Sequence, residues 1–527
     1  METQAVETLA GMVRRLGRER PDAPAVTLDD ATLSFGELDA RASRAANVLA
    51  GLGVGPGDRV AVLDKNSPAH YELLFGAAKL GAVLVGINFR LARPEVAAIL
   101  DDAQPAVLAV GAGFTALVPT AAPAVVTLGV VTLGEDWEQR LAAAAPDDPG
   151  REPDPGEVVL TLYSSGTTGL PKGAMLTHAN LAWTPEMGRT AYGMDAGTVN
   201  LVPSPLFHIG GTGYSLTAMG QGGHTVLVRD VDPTAMLGLI ERHRVTHAFL
   251  VPAVIAMLLT AVRAREAAGA APDLTSLELI AYGAAPMTDR GLREALAAFG
   301  CGFLGVYGMT ETAGTVLCLP AADHDPGGPR AGLLRSVGRT LPWHEVEVRD
   351  PVSGEPCPPG EIGEIWVRSP QNMAGYWRQP TLTAEVLVAD GWLRSGDAAW
   401  ADAQGYVFVH DRLKDMIISG GENVYPAEVE RVLVAHPAVA EVVVIGVPHE
   451  RWGETVKAIV VRREGVDAGE PGALEAELVE TARAALARYK CPTSVDLVDA
   501  LPRNAAGKIL KRVLREPYWA AAEEARP

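Results

Sequence analysis

Cysteine, basic charge and long apolar runs are all scarce in this chain, and each shortage removes a class of function. Only four cysteines, Cys301, Cys318, Cys357 and Cys491, are spread over 527 residues. None belongs to a Cys-x-x-Cys pair or has histidines around it, so neither a zinc ribbon nor a disulfide framework is expected. Buried thiols in a reducing compartment are. Basic residues number 45 against 64 acidic ones, a formal charge of −19. That surface disfavours nucleic acid and anionic membrane as main partners, and any anionic cofactor must be met by local basic groups. The longest apolar run, Ala248 to Val262, contains Pro252 and is too short to cross a bilayer comfortably; it reads as a buried helix. Met1-Glu2-Thr3-Gln4 is acidic and polar, unlike a secretory leader. A cytoplasmic protein with no integral membrane segment is expected.

What the chain does have is length and hydrophobic residues, 48% of them, enough for several cores. Residues 3–18 read as a helix with an apolar stripe. Ser34 and Glu37 make the pattern of a capping box and predict a second helix. Strand patterns at 60–63, 83–87 and 106–110 then alternate with helical ones at 68–82 and 94–102, which implies βα units and a largely parallel sheet. Proline and glycine thicken over 145–156, which reads as a connection between two lobes. His178 to Met187 reads as one helix, and 225–228, 246–251 and 277–281 as strands. Residues 336–349 and 361–368 mark a smaller β-rich part. Further on, Pro426 opens a helix over 426–435, strands follow at 441–446 and 455–462, and 473–489 has helical periodicity. The expected fold class is α/β, with a large N-terminal part of two βα lobes plus a β-rich subdomain and a small α+β C-terminal part.

The chain is organised around Tyr163-Ser164-Ser165-Gly166-Thr167-Thr168-Gly169-Leu170-Pro171-Lys172-Gly173, set between two strand patterns. Glycines let backbone N–H groups approach a ligand closely, and successive N–H groups form an anion nest. Four hydroxyls and the Lys172 charge complete a loop suited to a polyphosphate. It is not a Walker A loop, because Pro171 precedes the lysine and no hydroxyl follows it.

Other stretches carry chemistry of their own. Small residues Gly283, Ala284 and Ala285 after a strand leave room for a flat ring against the backbone. In Tyr307-Gly308-Met309-Thr310-Glu311-Thr312, Tyr307 offers a face to a purine and Thr310 a hydroxyl to phosphate. Glu311 offers a hard oxygen suited to Mg2+. Asp397, after a Ser395-Gly396 turn, is shaped to accept two vicinal hydroxyls. Phe207-His208, among prolines and paired glycines, reads as an exposed pair that could line a pocket, although a lone histidine more often caps a helix. Asp411 to Asp415 is too charged for a core crossing and reads as a linker. Lys508 follows a Gly507 turn.

Taken together and in this order, these motifs resemble the adenylate-forming superfamily, which includes acyl-CoA synthetases, adenylation domains of peptide synthetases and beetle luciferases. The likeness runs from about residue 33 to 512. It implies an N-terminal AMP-binding domain over 1–412 and a mobile C-terminal domain over 413–527, with ATP, Mg2+ and coenzyme A as cofactors. Ser164, Ser165, Gly166, Thr168, Gly169 and Lys172 would then hold phosphates. Gly283, Ala284, Ala285, Tyr307, Gly308, Met309 and Thr310 would line the nucleotide. Asp397 and Arg412 would meet the ribose, and Lys414 would be the pivot between domains. Gly420, Gly421 and Glu422 would flank the pantetheine tunnel. Thr167 and Glu311 would act at the metal, and Lys508 would bridge the carboxylate and the α-phosphate. His208 resembles a gate at the acid pocket, near Tyr214, Ala281, Gly283 and Val306.

The reaction so implied is a carboxylate attacking the α-phosphorus of ATP with loss of pyrophosphate, then a CoA thiol taking the acyl group and releasing AMP. The alternative keeps the first half and passes the acid to an amine, a carrier-protein thiol or another small nucleophile. Partners would be a small carboxylic acid and CoA, with a homodimer common among such relatives. The acid itself stays open between fatty, aryl and short branched types.

Overall fold

A computed structural model describes residues 6–119, 129–164, 172–285, 287, 289–412, 415–419, 422–449, 452–463, 465, 472–486, 488–503 and 509–524. The chain divides into two compact units, Met1–Val346 with Val367–Arg394, and Glu347–Trp366 with Ser395–Pro527.

The first unit is built on two large sheets. One has nine strands, in the order Arg339–Thr340, Gly314–Leu319, Gly302–Met309, Leu279–Gly283, His247–Leu250, Val199–Val202, His224–Leu227, Pro24–Leu28, Ala31–Ser34. Its middle is parallel and its two edges antiparallel. The other has seven, in the order Gly375–Tyr376, Lys172–Thr177, Val158–Ser164, Val83–Gly86, Arg59–Leu63, Val107–Gly111, Gly129–Leu133. The α/β expectation holds in both, with helices between parallel strands.

Local rules account for many boundaries. The capping box at Ser34 forms: Glu37 N–H donates to Ser34 Oγ at 3.2 Å and Ser34 N–H to a Glu37 carboxylate oxygen at 2.8 Å. Such a cap contributes about 1 kcal/mol. The helix it opens, Phe35–Gly51, lies against Pro68–Leu80 at a glycine contact. A Cβ on Gly76 would stand 2.9 Å from Ala45 Cβ and 3.0 Å from Ala46 N, so only hydrogen fits.

Three expectations need correction. The apolar run from Ala248 is not one helix. His247–Leu250 is a strand, and Pro252 starts the helix Pro252–Ala267, where its missing N–H costs nothing. His178 to Met187 is likewise broken, into His178–Leu181 and Thr184–Ala191. Finally, 145–156 does not join two lobes, because Val107–Gly111 and Val158–Ser164 on either side of it belong to the same seven-stranded sheet. The segment is tied back to the first helices. Asp148 accepts from Arg14 at 2.6 Å and from the fully buried Lys79 at 2.7 Å. Burial alone would push the Asp148 carboxyl up, but the hydrogen bonds from Arg14 and Lys79 outweigh it and hold it below the usual carboxylate range.

In the second unit, Val439–His449 and Gly453–Arg462 form a long antiparallel pair, and Ser494–Val498 adds a parallel strand. Helices Pro426–Val434 and Ala473–Ala485 cover one face, burying Val429, Leu433 and Leu478 against Val444, Val456 and Val460. Pro426 sits in the first turn as expected. Among the described residues no helix is long and apolar enough to cross a membrane.

Candidate nucleotide and acid site

The organising loop closes a hairpin in the seven-stranded sheet. Val158–Ser164 runs antiparallel to Lys172–Thr177, with Ser164 opposite Lys172. Because Val158–Ser164 is parallel to Val83–Gly86 on its other side, the loop emerges at the carboxyl end of the parallel strands, where α/β sheets bind ligands. Ser165, Gly166, Thr167, Thr168 and Gly169 lie outside the described residues, as do Lys414, Gly420, Gly421 and Lys508. Backbone placement puts Ser164, Arg412 and Glu422 in strands.

Lys172 and Glu311 are 139 positions apart in sequence, yet the fold brings both to one side chain, Tyr376. The Tyr376 hydroxyl donates to Glu311 Oε1 at 2.7 Å, and the Lys172 ammonium lies 5.6 Å from the centre of its ring. A cation at that distance is attracted to the ring face. Tyr376 is itself held by backbone pairing: Gly375 and Tyr376 lie opposite Met175 and Ala174, and Trp377 N–H donates to Gly173 O at 2.8 Å. Met373 N–H donates to Glu311 O at 2.8 Å. Upstream, Asn180 Nδ2 donates to Pro370 O and Asn372 O, both at 2.9 Å, and the fully buried Gln371 accepts from Trp343 Nε1 at 2.7 Å. Residues 370–377 thus strap the strand after the loop to the Glu311 turn. Sequence reasoning missed Tyr376, Asn180 and Gln371; each acts across long separations, and no local pattern marks them.

The Glu311 turn is tight for a steric reason. A Cβ on Gly308 would stand 1.9 Å from Gly314 O, so this position admits only glycine. Thr312 Oγ accepts from Met309 N–H at 3.1 Å and donates to Gly314 O at 2.8 Å. With the turn so fastened, Tyr307, Thr310 and Glu311 are left half-buried. On the neighbouring strand Gly283 is equally constrained, its Cβ position being 2.4 Å from Val306 O. Ala284 follows at φ +65°, a left-handed backbone that costs a non-glycine residue about 1 kcal/mol or more and that clusters at ligand clamps. Ala284 and Ala285 are exposed, as a surface for a flat ring requires.

His208 caps the helix Ile209–Gly220 through its backbone: Gly211 and Thr212 N–H donate to His208 O at 2.9 and 3.0 Å. Gly211 is forced, since its Cβ would stand 2.2 Å from Pro205 O. The expected exposed pair is corrected here. Phe207 is 4% exposed and packs on His208 with ring centres 4.3 Å apart. The His208 Nε2 is buried with no hydrogen-bond partner. Burial, with the nearby Arg90 charge adding to it, pushes this imidazole down to about 4, so it is neutral at pH 7.

In the second unit, Asp397 stands opposite Arg412 in the antiparallel register of Trp392–Ala401 with Val407–Arg412. The expected Ser395-Gly396 turn is instead a kink inside the strand: Gly396 has φ +72° and its N–H donates to a Glu364 carboxylate oxygen at 2.9 Å. Asp397 is 5% exposed and its N–H donates to Ser395 Oγ at 3.0 Å.

Comparison with known proteins is consistent across the whole length. The family described as AMP-binding enzyme matches residues 13–377, and the AMP-binding enzyme C-terminal domain matches 428–508. A feruloyl-CoA synthase from Amycolatopsis sp is 42% identical over 96% of this chain and 98% of its own. A fatty acid–[acyl-carrier-protein] ligase, ScoC, from Streptomyces coeruleorubidus is 40% identical over 98% of this chain and 97% of its own. Among solved structures, ATP-bound MatB from Rhodopseudomonas palustris superposes with a TM-score of 0.86 at 33% identity, covering 97% of this chain and 99% of that one.

Proposed function

The chain belongs to the AMP-binding enzyme family, and we propose that within it this protein is an AMP-forming acid–thiol ligase. It activates a carboxylic acid with ATP and passes the acyl group to coenzyme A. The observation that carries this reading is the convergence of Lys172 and Glu311 on Tyr376, which joins the end of the hydroxyl-rich loop to the one carboxylate of the second motif.

The first half-reaction brings together two anions, so charge neutralisation and positioning dominate it. The loop from Ser164 to Gly169, with Lys172, holds the β- and γ-phosphates of ATP. Glu311 fits Mg2+: Tyr376 engages Oε1 and leaves Oε2 as a hard ligand, and Mg2+ takes few carboxylates beside phosphate oxygens and water. The metal would supply charge neutralisation at the phosphates, with Thr167 as the second protein ligand. The adenine lies between the Gly283-Ala284-Ala285 edge and Tyr307, and Asp397 with Arg412 takes the ribose. Lys508 stabilises the charge developing between carboxylate and α-phosphate. The boundary between the two domains falls at 412/413. Rotation of the residues after it, about Lys414, withdraws Lys508 for the thiol step and brings Gly420 to Glu422 to the pantetheine. One site thereby serves two displacements in turn. The neutral, unpartnered His208 stands at the acid pocket. The acidic composition fits a cytoplasmic enzyme.

The test is a panel of carboxylic acids scored for acid-dependent pyrophosphate exchange and for AMP release with and without CoA. The expected outcome is exchange with at least one acid, and sustained AMP release only when CoA is added. No exchange with any acid would remove the ligase reading. Exchange with AMP release indifferent to CoA would move the acceptor to another nucleophile.

A further inference from the structure

The hairpin that carries the hydroxyl-rich loop is held at its base by side chains far from it in sequence. Strand Val158–Ser164 pairs with Val83–Gly86 only as far as Leu162, so Tyr163 and Ser164 run on past that neighbour. On the other side, Lys172–Thr177 meets Gly375 and Tyr376 only at Met175 and Ala174, so Lys172 and Gly173 run on as well. The two overhanging ends face each other, Tyr163 opposite Gly173 and Ser164 opposite Lys172. Such an overhang has ladder hydrogen bonds on its inner side alone, so the sheet by itself does not fix where the ends point.

One residue, Asp102, ties down both ends from the last turn of helix Arg93–Ala103. The Tyr163 hydroxyl donates to Asp102 Oδ2 at 2.6 Å. Trp377 N–H donates to Gly173 O at 2.8 Å, and its indole Nε1–H donates to Asp102 O at 3.0 Å. That carbonyl is free to accept because the last carbonyls of a helix have no partner within it. Arg59 takes the next two, Ala103 O at 2.9 Å and Gln104 O at 2.7 Å, and its guanidinium lies 5.0 Å from the centre of the Trp377 ring. Arg378, in the left-handed region at φ +55°, adds a donor to Asp102 O at 3.4 Å. The Tyr163 ring is buried and lies across Gly173, where a Cβ would stand 3.0 Å from its Cζ. Burial, and after it the bond to Asp102, raises this phenol above its ordinary range, so the hydroxyl stays a donor at working pH.

We propose that Tyr163 is a positioning residue for the β- and γ-phosphates of ATP, acting through Lys172, with Asp102 and Trp377 as its anchor. The proposal rests on the ligase reading and adds to it the groups that set where the Lys172 charge stands. Lys172 is one rung beyond the Tyr163–Gly173 pair, so a shift of that pair moves its ammonium. A preorganised charge is worth its full effect only where the developing or bound charge lies. The effect is therefore confined to ligands that carry the outer phosphates: ATP and pyrophosphate feel it, and AMP does not. A tyrosine that only filled the core would alter stability, or every ligand alike.

The experiment compares wild type, Tyr163→Phe, Asp102→Ala, Asp102→Asn and the double variant Tyr163→Phe/Asp102→Ala in pyrophosphate exchange, with the best acid of the panel, beside AMP binding and thermal unfolding. Tyr163→Phe should raise the KM for ATP and for pyrophosphate by on the order of tenfold, as for a lost hydrogen bond to a carboxylate. The KM for the acid and the Kd for AMP should stay within about twofold. Asp102→Ala should show the same selective rise, and Asp102→Asn, which keeps an acceptor oxygen for the hydroxyl, should recover most of it. The double variant should be no worse than the poorer single one, because both changes remove one interaction. Unchanged KM values for ATP and pyrophosphate in a folded Tyr163→Phe, or an equal weakening of AMP, would overturn the proposal and leave the ligase reading intact. If Tyr163→Phe does not fold, Asp102→Ala decides on the same criterion. No exchange by wild type with any acid would remove the ligase reading, and this inference with it.

Discussion

The two sides of the candidate site treat their polar groups in opposite ways. On the nucleotide side they are tied down in advance: Glu311 is held by Tyr376, Thr312 by Gly314, and Tyr376 by strand pairing with Ala174. Around His208 one is left open: its Nε2 is buried without a hydrogen-bond partner. Preorganised groups stabilise charge without reorganising at the moment of reaction. Unpaired groups discriminate, because only a ligand with the matching atom removes their penalty. On the proposed ligase reading, the groups around the phosphates are held rigid in advance, whereas His208 beside the acid is left unsatisfied.

The sharpest way to break this comparison is at the cation that belongs to neither side. Lys508→Ala should lower acid-dependent pyrophosphate exchange by about 100- to 1000-fold, the usual effect of losing one charge-stabilising donor. Thioester formation from a supplied acyl-adenylate should be largely spared, and full exchange activity would remove the residue from the first half-reaction. Tyr376→Phe comes next. It keeps the ring beneath Lys172 and deletes only the hydrogen bond to Glu311, so kcat/KM for ATP should fall about ten- to a hundredfold, as for a bond to a charged group. The Mg2+ concentration giving half-maximal rate should rise with it. An unchanged Mg2+ dependence would make Tyr376 a packing residue.

A third test separates rigidity from chemistry. Gly308→Ala forces a methyl against Gly314 O and should cost about 1–3 kcal/mol of stability, read by thermal or urea unfolding. The same change at Gly332, where a Cβ would meet nothing, should leave stability within about 0.5 kcal/mol. The smallest effect concerns pH. His208 is pushed down to about 4 in the folded chain against 6.5 as its ordinary value. Its contribution is complete above about pH 6.5, where both states are neutral, and is lost as pH falls toward 4 because the unfolded chain takes up the proton first. His208→Gln should therefore flatten the stability profile between those limits, moving the acid midpoint down by about a few tenths of a pH unit. An unchanged profile would mean that the other buried histidines carry the whole effect.

Much of the architecture was legible because it is decided by neighbours in the chain. The capping box at Ser34 needs residues three apart, Pro426 needs only its own ring, and the strand–loop–strand around Gly166 follows from alternation and glycine. The readings that failed did so where a local pattern had two continuations. The run from Ala248 could be one helix or a strand and a helix, and the segment over 145–156 could leave a sheet or return to it. Sheet register settled both. The Phe207-His208 pair looked exposed because nothing nearby in sequence shows Phe89, whose ring packs edge-on against Phe207 at 5.4 Å.

By itself the sequence determined which groups are available: a hydroxyl- and glycine-rich loop ending in Lys172, a carboxylate at Glu311, and small residues such as Gly283 and Gly308 beside the nucleotide motifs. Only the tertiary structure decided which of them meet. Tyr376 reaches Glu311 across 65 positions, and Tyr214 reaches Phe249 across 35. A side-chain contact of a few ångströms is set by strand order and register, which depend on burying whole faces at once and leave no trace in any short stretch of residues.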